Sequence, residues 1–311
     1  MKLVLMGTNE WTVPVFERAA AEHEIIAVFT RAPKPAGRKM IPQKSPVHIW
    51  AEARGLPVHT NIKEFDIPCP PSSPQAATLP PQRGGDIAPS FNPIRRDVPP
   101  PERGGSARSA VGGGIDFIVV ASYGVILHDD VLNAAPIINL HPSLLPKYRG
   151  PSPMLTAILN GDARTGVCLM DVVPEVDAGD IHMTREIEIG KNDTVVDLEA
   201  RVSSVSADML SQYLKNPAAF PPRPQIGTPT FTRKFTPADT VIDWNKTPLE
   251  IHNQIRSIGG RTKINGMDAK VLETRVVGDK LEILRVQPAG KNPMDWKSFV
   301  NGQRGEIKIG E

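Results

Sequence analysis

Ile137-Ile138-Asn139-Leu140-His141-Pro142-Ser143-Leu144-Leu145-Pro146-Lys147-Tyr148-Arg149-Gly150 is the stretch that decides the fold and places the chemistry. Its first five residues form a short apolar run of the kind found in buried strands. Successive side chains of a strand leave opposite faces, so Asn139 and His141 point the same way. Pro142 ends the strand. The pair therefore stands at a strand's carboxyl end, where open α/β sheets bind ligands. An amide donor beside an imidazole suits acyl transfer, one stabilising an oxyanion and the other moving a proton. A polar strand end without chemistry would carry the same two residues. A carboxylate separates these readings, and Asp171-Val-Val-Pro-Glu-Val-Asp177-Ala-Gly-Asp180 offers one in a polar loop between two strands, with Asp177 and Asp180 both candidates.

On the amino-terminal side, Lys2–Met6, Ile25–Phe29 and Phe117–Ala121 are further apolar runs rich in Val and Ile, the composition of strands buried on both faces. Val13–His23 begins with Thr12 as N-cap and Pro14 in its first turn, which predicts a helix. A second helix closes at Ala51–Arg54, before Leu56–His59. Strand and helix alternate, as in a parallel α/β sheet. On the carboxyl side, Asp129–Asn133 and Pro153–Asn160 read as helices, and Thr165–Val173 and Ile181–Ile189 as strands. Val195, Leu198, Val202, Val205 and Met209 mark one face of a helix over Asn192–Lys215. Pro217, Pro221, Pro222, Pro224 and Pro229 make a stiff linker. Phe231–Glu311 reads as a small β-rich unit, with strands over Lys270–Val277 and Leu281–Val286.

The 311 residues suffice for about two domains. The net charge of +2 creates no overall field that would recruit nucleic acid or membrane, so any such affinity is local. Residues 31 to 46 are one such place: Arg31, Lys34, Arg38, Lys39 and Lys44 stand there without an acid. Residues 245 to 311 are another, with seven Lys and five Arg against eight acids, or 12 − 8 = +4. Two cysteines, Cys69 and Cys168, exclude a disulfide framework and a thiolate zinc site. No two of the seven histidines are spaced i, i+4, so a helical zinc motif is absent from the sequence. The apolar run before Gly7 is too short for a signal peptide. Eleven of the 32 prolines and seven glycines crowd into residues 66 to 114, a composition that predicts disorder.

Asn139-Leu-His141-Pro-Ser143-Leu-Leu-Pro-Lys-Tyr-Arg149-Gly150, Thr165-Gly166 and Asp177-Ala-Gly-Asp180 together resemble the formyltransferase family that uses 10-formyltetrahydrofolate. The opening Met6-Gly-Thr8, the loop Thr30–Lys39, Ile242-Asp-Trp244 and Gln287-Pro-Ala-Gly290-Lys291 resemble its tRNA-acting branch. The likeness covers residues 1–65 and 115–311, and 66–114 has no counterpart in it. It implies an α/β fold: a Rossmann-like parallel-sheet catalytic domain (1–216, interrupted by the insert 66–114), a linker (217–230) and a small, OB-like β domain that binds tRNA (231–311), short enough for its barrel to be incomplete.

The resemblance also implies roles for residues. Asn139, His141 and Asp177 match the catalytic triplet. Val125, Ile126 and Leu127, with Ser143, Leu144, Leu145 and Pro146, match the folate site. Lys34, Arg38, Lys39 and Lys44 match contacts to tRNA. The implied formyl donor is 10-formyltetrahydrofolate, without a metal; the implied partner is initiator methionyl-tRNA, and the implied setting a cytoplasmic monomer without a membrane. Two alternatives stay open: formylation of a small amine, on a sugar nucleotide or glycinamide ribonucleotide, and an inactive folate- or RNA-binding relic.

Overall fold

A computed structural model describes residues 1–36, 40–62, 114–125, 127, 129–303 and 305–310. Arg38, Lys39, Ile126, Cys69 and the insert up to residue 113 lie outside the described residues. In chain order the elements are β1 (Lys2–Gly7), α1 (Val13–Glu22), β2 (Glu24–Phe29), β3 (Lys34–Ala36), β4 (Ile41–Gln43), α2 (Pro46–Ala53), β5 (Val58–His59), β6 (Phe117–Ala121), α3 (Asp129–Leu132) and β7 (Ile137–His141). There follow α4 (Pro153–Leu159), β8 (Arg164–Asp171), β9 (Ile181–Glu188), α5 (Val195–Lys215), α6 (Pro248–Ile258), β10 (Gly260–Ile264), β11 (Met267–Val277), β12 (Lys280–Pro288), β13 (Met294–Asp295) and α7 (Trp296–Asn301).

The larger sheet runs β5-β2-β1-β6-β7-β8-β9. Its first five strands are parallel, as the alternation of strands and helices implies, whereas β8 and β9 are antiparallel. The loop 172–180 between them is too short for the crossover that a parallel pair needs. Both faces of the sheet are covered. Leu3, Leu5, Ile138 and Leu140 face a core shared with α1, α4 and α5, while Val4, Met6, Ile118 and Ile137 belong to a core on the other face. Ile137 and Ile138 thus confirm the strict alternation that sets Asn139 and His141 on one side. Residues 34–43 form a separate β3–β4 hairpin.

The second sheet runs β10-β11-β12-β13, all antiparallel, around Ile251, Ile255, Ile264, Val271, Ile283, Val286 and Phe299. It has two strands and two helices more than the sequence suggested. Helix α6 carries it onto the larger unit, packing on α4 and on β11. Ile251 and Ile255 of α6 face the second sheet, whereas the face turned to the larger unit is polar. The Arg256 guanidinium donates to the carbonyls of Gly190 (3.3 Å) and Asp193 (2.9 Å), and the Ser257 hydroxyl donates to that of Leu155 (2.7 Å). His252 Nε2 lies 3.1 Å from the carbonyl of Lys191. Among the described residues no helix is long and apolar enough to cross a membrane.

Candidate active site

The strand order reverses between β1 and β6, and a cleft of about 600 Å³ opens at their carboxyl ends. This is the topological switch point at which open sheets bind ligands, and the size suits a small organic molecule. Its walls come from Asn9 and Trp11 after β1, Tyr123 and Val125 after β6, the end of β7, the start of α4 and the loop 172–180. A shallow depression at the opposite end of the sheet, around Lys2, Glu22, Glu24 and Asp116, lies away from all the motif residues.

Asn139, His141 and Asp177 all line the cleft. His141 is buried (4 % exposed), with Nδ1 3.5 Å from Asp177 Oδ2 and Nε2 2.9 Å from the Tyr148 carbonyl. A carbonyl oxygen only accepts, so Nε2 carries the hydrogen and neutral His141 turns the Nδ1 lone pair toward the carboxylate. A proton arriving at Nδ1 meets a negative partner. Asp177 Oδ2 also accepts the backbone N–H of Gly150 at 2.7 Å. Residues 148–150 therefore hold both groups at once, with a carbonyl on the imidazole and an N–H on the carboxylate. That requires left-handed backbone, φ +65° at Tyr148 and +107° at Gly150. A Cβ at position 150 would stand 3.0 Å from the Thr232 carbonyl, so glycine suits it on both counts.

Asp180, the other acid considered, is not part of the cleft wall; its backbone carbonyl accepts the N–H of Asp171 at 2.9 Å. Val125 and Leu127 line the cleft. Ser143, Leu144, Leu145 and Pro146 do not: the Ser143 hydroxyl donates to the Lys147 carbonyl at 2.6 Å, and Leu144 packs where a Cβ on Gly166 would stand. Lys34 is exposed on the β3–β4 hairpin, while Lys44 is engaged with the Glu52 carboxylate at 2.6 Å. Cys168 is fully buried in β8, and burial pushes its thiol pKa up, the state of an unreactive core residue.

Three groups at the site escaped the sequence reading. Trp11 gives the cleft an aromatic wall. Glu199, one turn beyond Val195 on the cleft side of α5, has its pKa raised by burial and then by Glu10; the helical period that placed Val195 and Val202 in the core was the available signal. Lys234, from the segment after the prolines, brings an exposed cation to the mouth. The proline-rich segment itself lies along the site. Arg223 bridges to Ile181, Thr230 exchanges backbone bonds with the 146–149 turn, and Gln225 contacts the Asp177 loop.

Comparison with known proteins agrees with this architecture. The sequence model of the family described as "Formyl transferase" matches residues 102–214. The structure is similar to an N-formyltransferase from Helicobacter canadensis solved with folinic acid and dTDP-3-aminofucose (TM-score 0.59, 19 % identity, 89 % of this chain and 88 % of that one). It is similar also to methionyl-tRNA formyltransferase from Clostridium thermocellum (TM-score 0.57, 14 % identity, 93 % and 98 %). At these identities the likeness is one of fold. The sequence of the methionyl-tRNA formyltransferase of Anaplasma marginale is 33 % identical over 332 residues, covering 98 % of this chain and 97 % of its own. The chain belongs to the methionyl-tRNA formyltransferase family.

Proposed function

We propose that the protein transfers the formyl group of 10-formyltetrahydrofolate to the α-amine of initiator methionyl-tRNA, giving N-formylmethionyl-tRNA. The observation that carries this reading is the convergence of Asn139, His141 and Asp177 on one apolar-walled cleft at the switch point. The acceptor amine, with an ordinary pKa of about 7.7, is substantially neutral near pH 7 and needs little activation. It attacks the formyl carbon directly, so the C–N bond to the acceptor forms as the carbonyl electrons move to oxygen. The Asn139 amide donates to that oxyanion. His141 takes the ammonium proton at Nδ1, and Asp177 balances the imidazolium. The oxyanion then collapses, the bond to folate N10 breaks, and a proton returns to N10.

The folate ring system lies against Val125 and Leu127 with Trp11 and Tyr123, whose apolar surfaces suit a flat heterocycle. Lys34, Arg38, Lys39 and Lys44 supply positive charge for tRNA phosphates, and Lys234 adds a cation at the cleft mouth. In this reading residues 1–216 catalyse, 217–230 link, and 231–311 hold tRNA, in a cytoplasmic monomer. The basic loop at residues 31–46 and the excess of positive charge in the carboxyl-terminal unit favour tRNA over a small amine. The deciding experiment offers purified protein labelled formyl donor with either methionyl-tRNA or an amino-sugar nucleotide. Label on the charged tRNA alone is the expected result; label only on the small amine would overturn the acceptor assignment, and transfer to neither would favour a binding relic.

A further inference from the structure

Gln225 stands in the proline-rich segment, 48 residues from Asp177, and its side-chain amide is used at every position. Its NH₂ group donates to the Asp177 carbonyl at 2.8 Å and to the Gly179 carbonyl at 2.9 Å. Its Oε1 accepts from Arg149 Nη2 at 2.9 Å and Nε at 3.2 Å. Arg149 is buried (8 % exposed) and reaches back to the same loop through Nη1, 2.9 Å from Glu175 Oε1. The loop needs this support. Asp177 sits at φ +49°, a region non-glycine residues seldom adopt, and sequence-local bonds leave its carbonyl and that of Gly179 to a distant donor.

We infer that Gln225 is a positioning residue for Asp177, so that the interdomain segment forms part of the active site rather than a spacer. Of the standard side chains that reach this far, only glutamine offers two donors and an acceptor in one plane. Glutamate keeps the acceptor for Arg149 but loses both donors and turns a carboxylate on two carbonyls. Methionine keeps the length and loses every bond. Released from Gln225, the loop relaxes from its strained backbone and carries the carboxylate away from His141 Nδ1.

The kinetic arm of the test rests on the proposed formyl transfer. Gln225→Glu and Gln225→Met are purified and checked for wild-type far-ultraviolet dichroism and folate affinity. Both are expected to lose kcat by about 10–100-fold, the cost of a displacement near 1 Å, with KM for the formyl donor unchanged and a shifted pH profile of kcat. Wild-type kcat and profile in either folded variant, or a loss confined to substrate affinity, would overturn the assignment. A second arm needs no turnover: ¹⁵N resonance of the His141 ring is followed against pH in wild type and Gln225→Met. A displaced titration supports the inference and superimposable curves refute it, whether or not the wild type formylates anything. A Gln225→Glu chain that fails to fold leaves the decision to Gln225→Met, which buries no new charge.

Discussion

His141 and Asp177 face each other across 3.5 Å, yet the chain fixes them by different means. His141 rides on β7, which pairs with β6 on one side and β8 on the other, and its own backbone is opposite Cys168. Asn139 shares that support. Asp177 stands in a loop at positive φ, and that loop owes its place to bonds from Arg149, Gly150 and Gln225, all of them far from it in sequence. A group on a central strand inherits its precision from the sheet. A group on a loop must be held by contacts added one at a time, and each of these is open to removal.

The largest effects are expected on the strand. His141→Ala should lower turnover by about 10²–10⁴ and Asn139→Ala by about 10²–10³, both with folate affinity retained, in a single-turnover assay against equilibrium folate binding. If either variant lost folate binding in proportion, the strand residues would be binding rather than reacting groups. On the loop side, Arg149→Met removes the guanidinium beneath both Gln225 and Glu175, leaving Gln225 Oε1 short of a donor. The expected cost is about 1–3 kcal/mol in denaturant unfolding, and the same change should lower kcat, which a remote stability mutation would not do.

A fourth variant probes where the loop meets the strands. Asp171, the last residue of β8, accepts from His182 Nε2 at 2.8 Å, while His182 Nδ1 lies 2.9 Å from the Phe220 carbonyl, so both ring nitrogens face acceptors. Burial opposes the charge on His182, but the bonds to Asp171 and Phe220 outweigh it and raise the pKa; Asp180 adds to the effect. Tyr213 packs on the ring with its own pKa pushed up to about 12, chiefly by burial. Because the folded-state pKa of His182 is raised, its contribution is fully present below about pH 6.5, the unfolded value. It fades as pH rises through the folded value. The Tm gap between wild type and His182→Gln should therefore be widest in acid and narrow toward alkaline pH; a gap that widened with pH would refute the protonated pair. The smallest effect is expected far from both regions. Lys34→Ala should weaken tRNA binding evenly across sequences and reduce its salt slope by about one, with folate KM unchanged.

The strand half of the site was legible in the sequence because alternation over Ile137–His141 and the stop at Pro142 are local signals. The loop half was legible only in part. The motif residues Asp177 and Asp180 look alike in sequence, and what separates them is the turn that sends one carboxylate to Gly150 and leaves the other off the cleft wall. Ser143–Pro146 adjoin the motif in sequence but turn away from the cleft, since the chain reverses at Pro142 and Leu144 is drawn toward Gly166. The Gln225 clamp left no trace, because five prolines read as a spacer and a bond spanning 48 residues has no local signature. Helix α6 was missed although its start carries a local signal: Thr247 and Glu250 form a capping box, with Thr247 Oγ1 accepting from the Glu250 N–H at 3.3 Å and the Glu250 carboxylate accepting from the Thr247 N–H at 2.9 Å.

A double-mutant cycle on kcat for His141→Ala and Asp177→Asn tests most directly whether strand and loop work as one unit. If Asp177 acts through the proton held on Nδ1, the double variant should be no slower than His141→Ala alone, the non-additivity of groups that share a role. Losses that multiply would show two independent contributions and contradict the account.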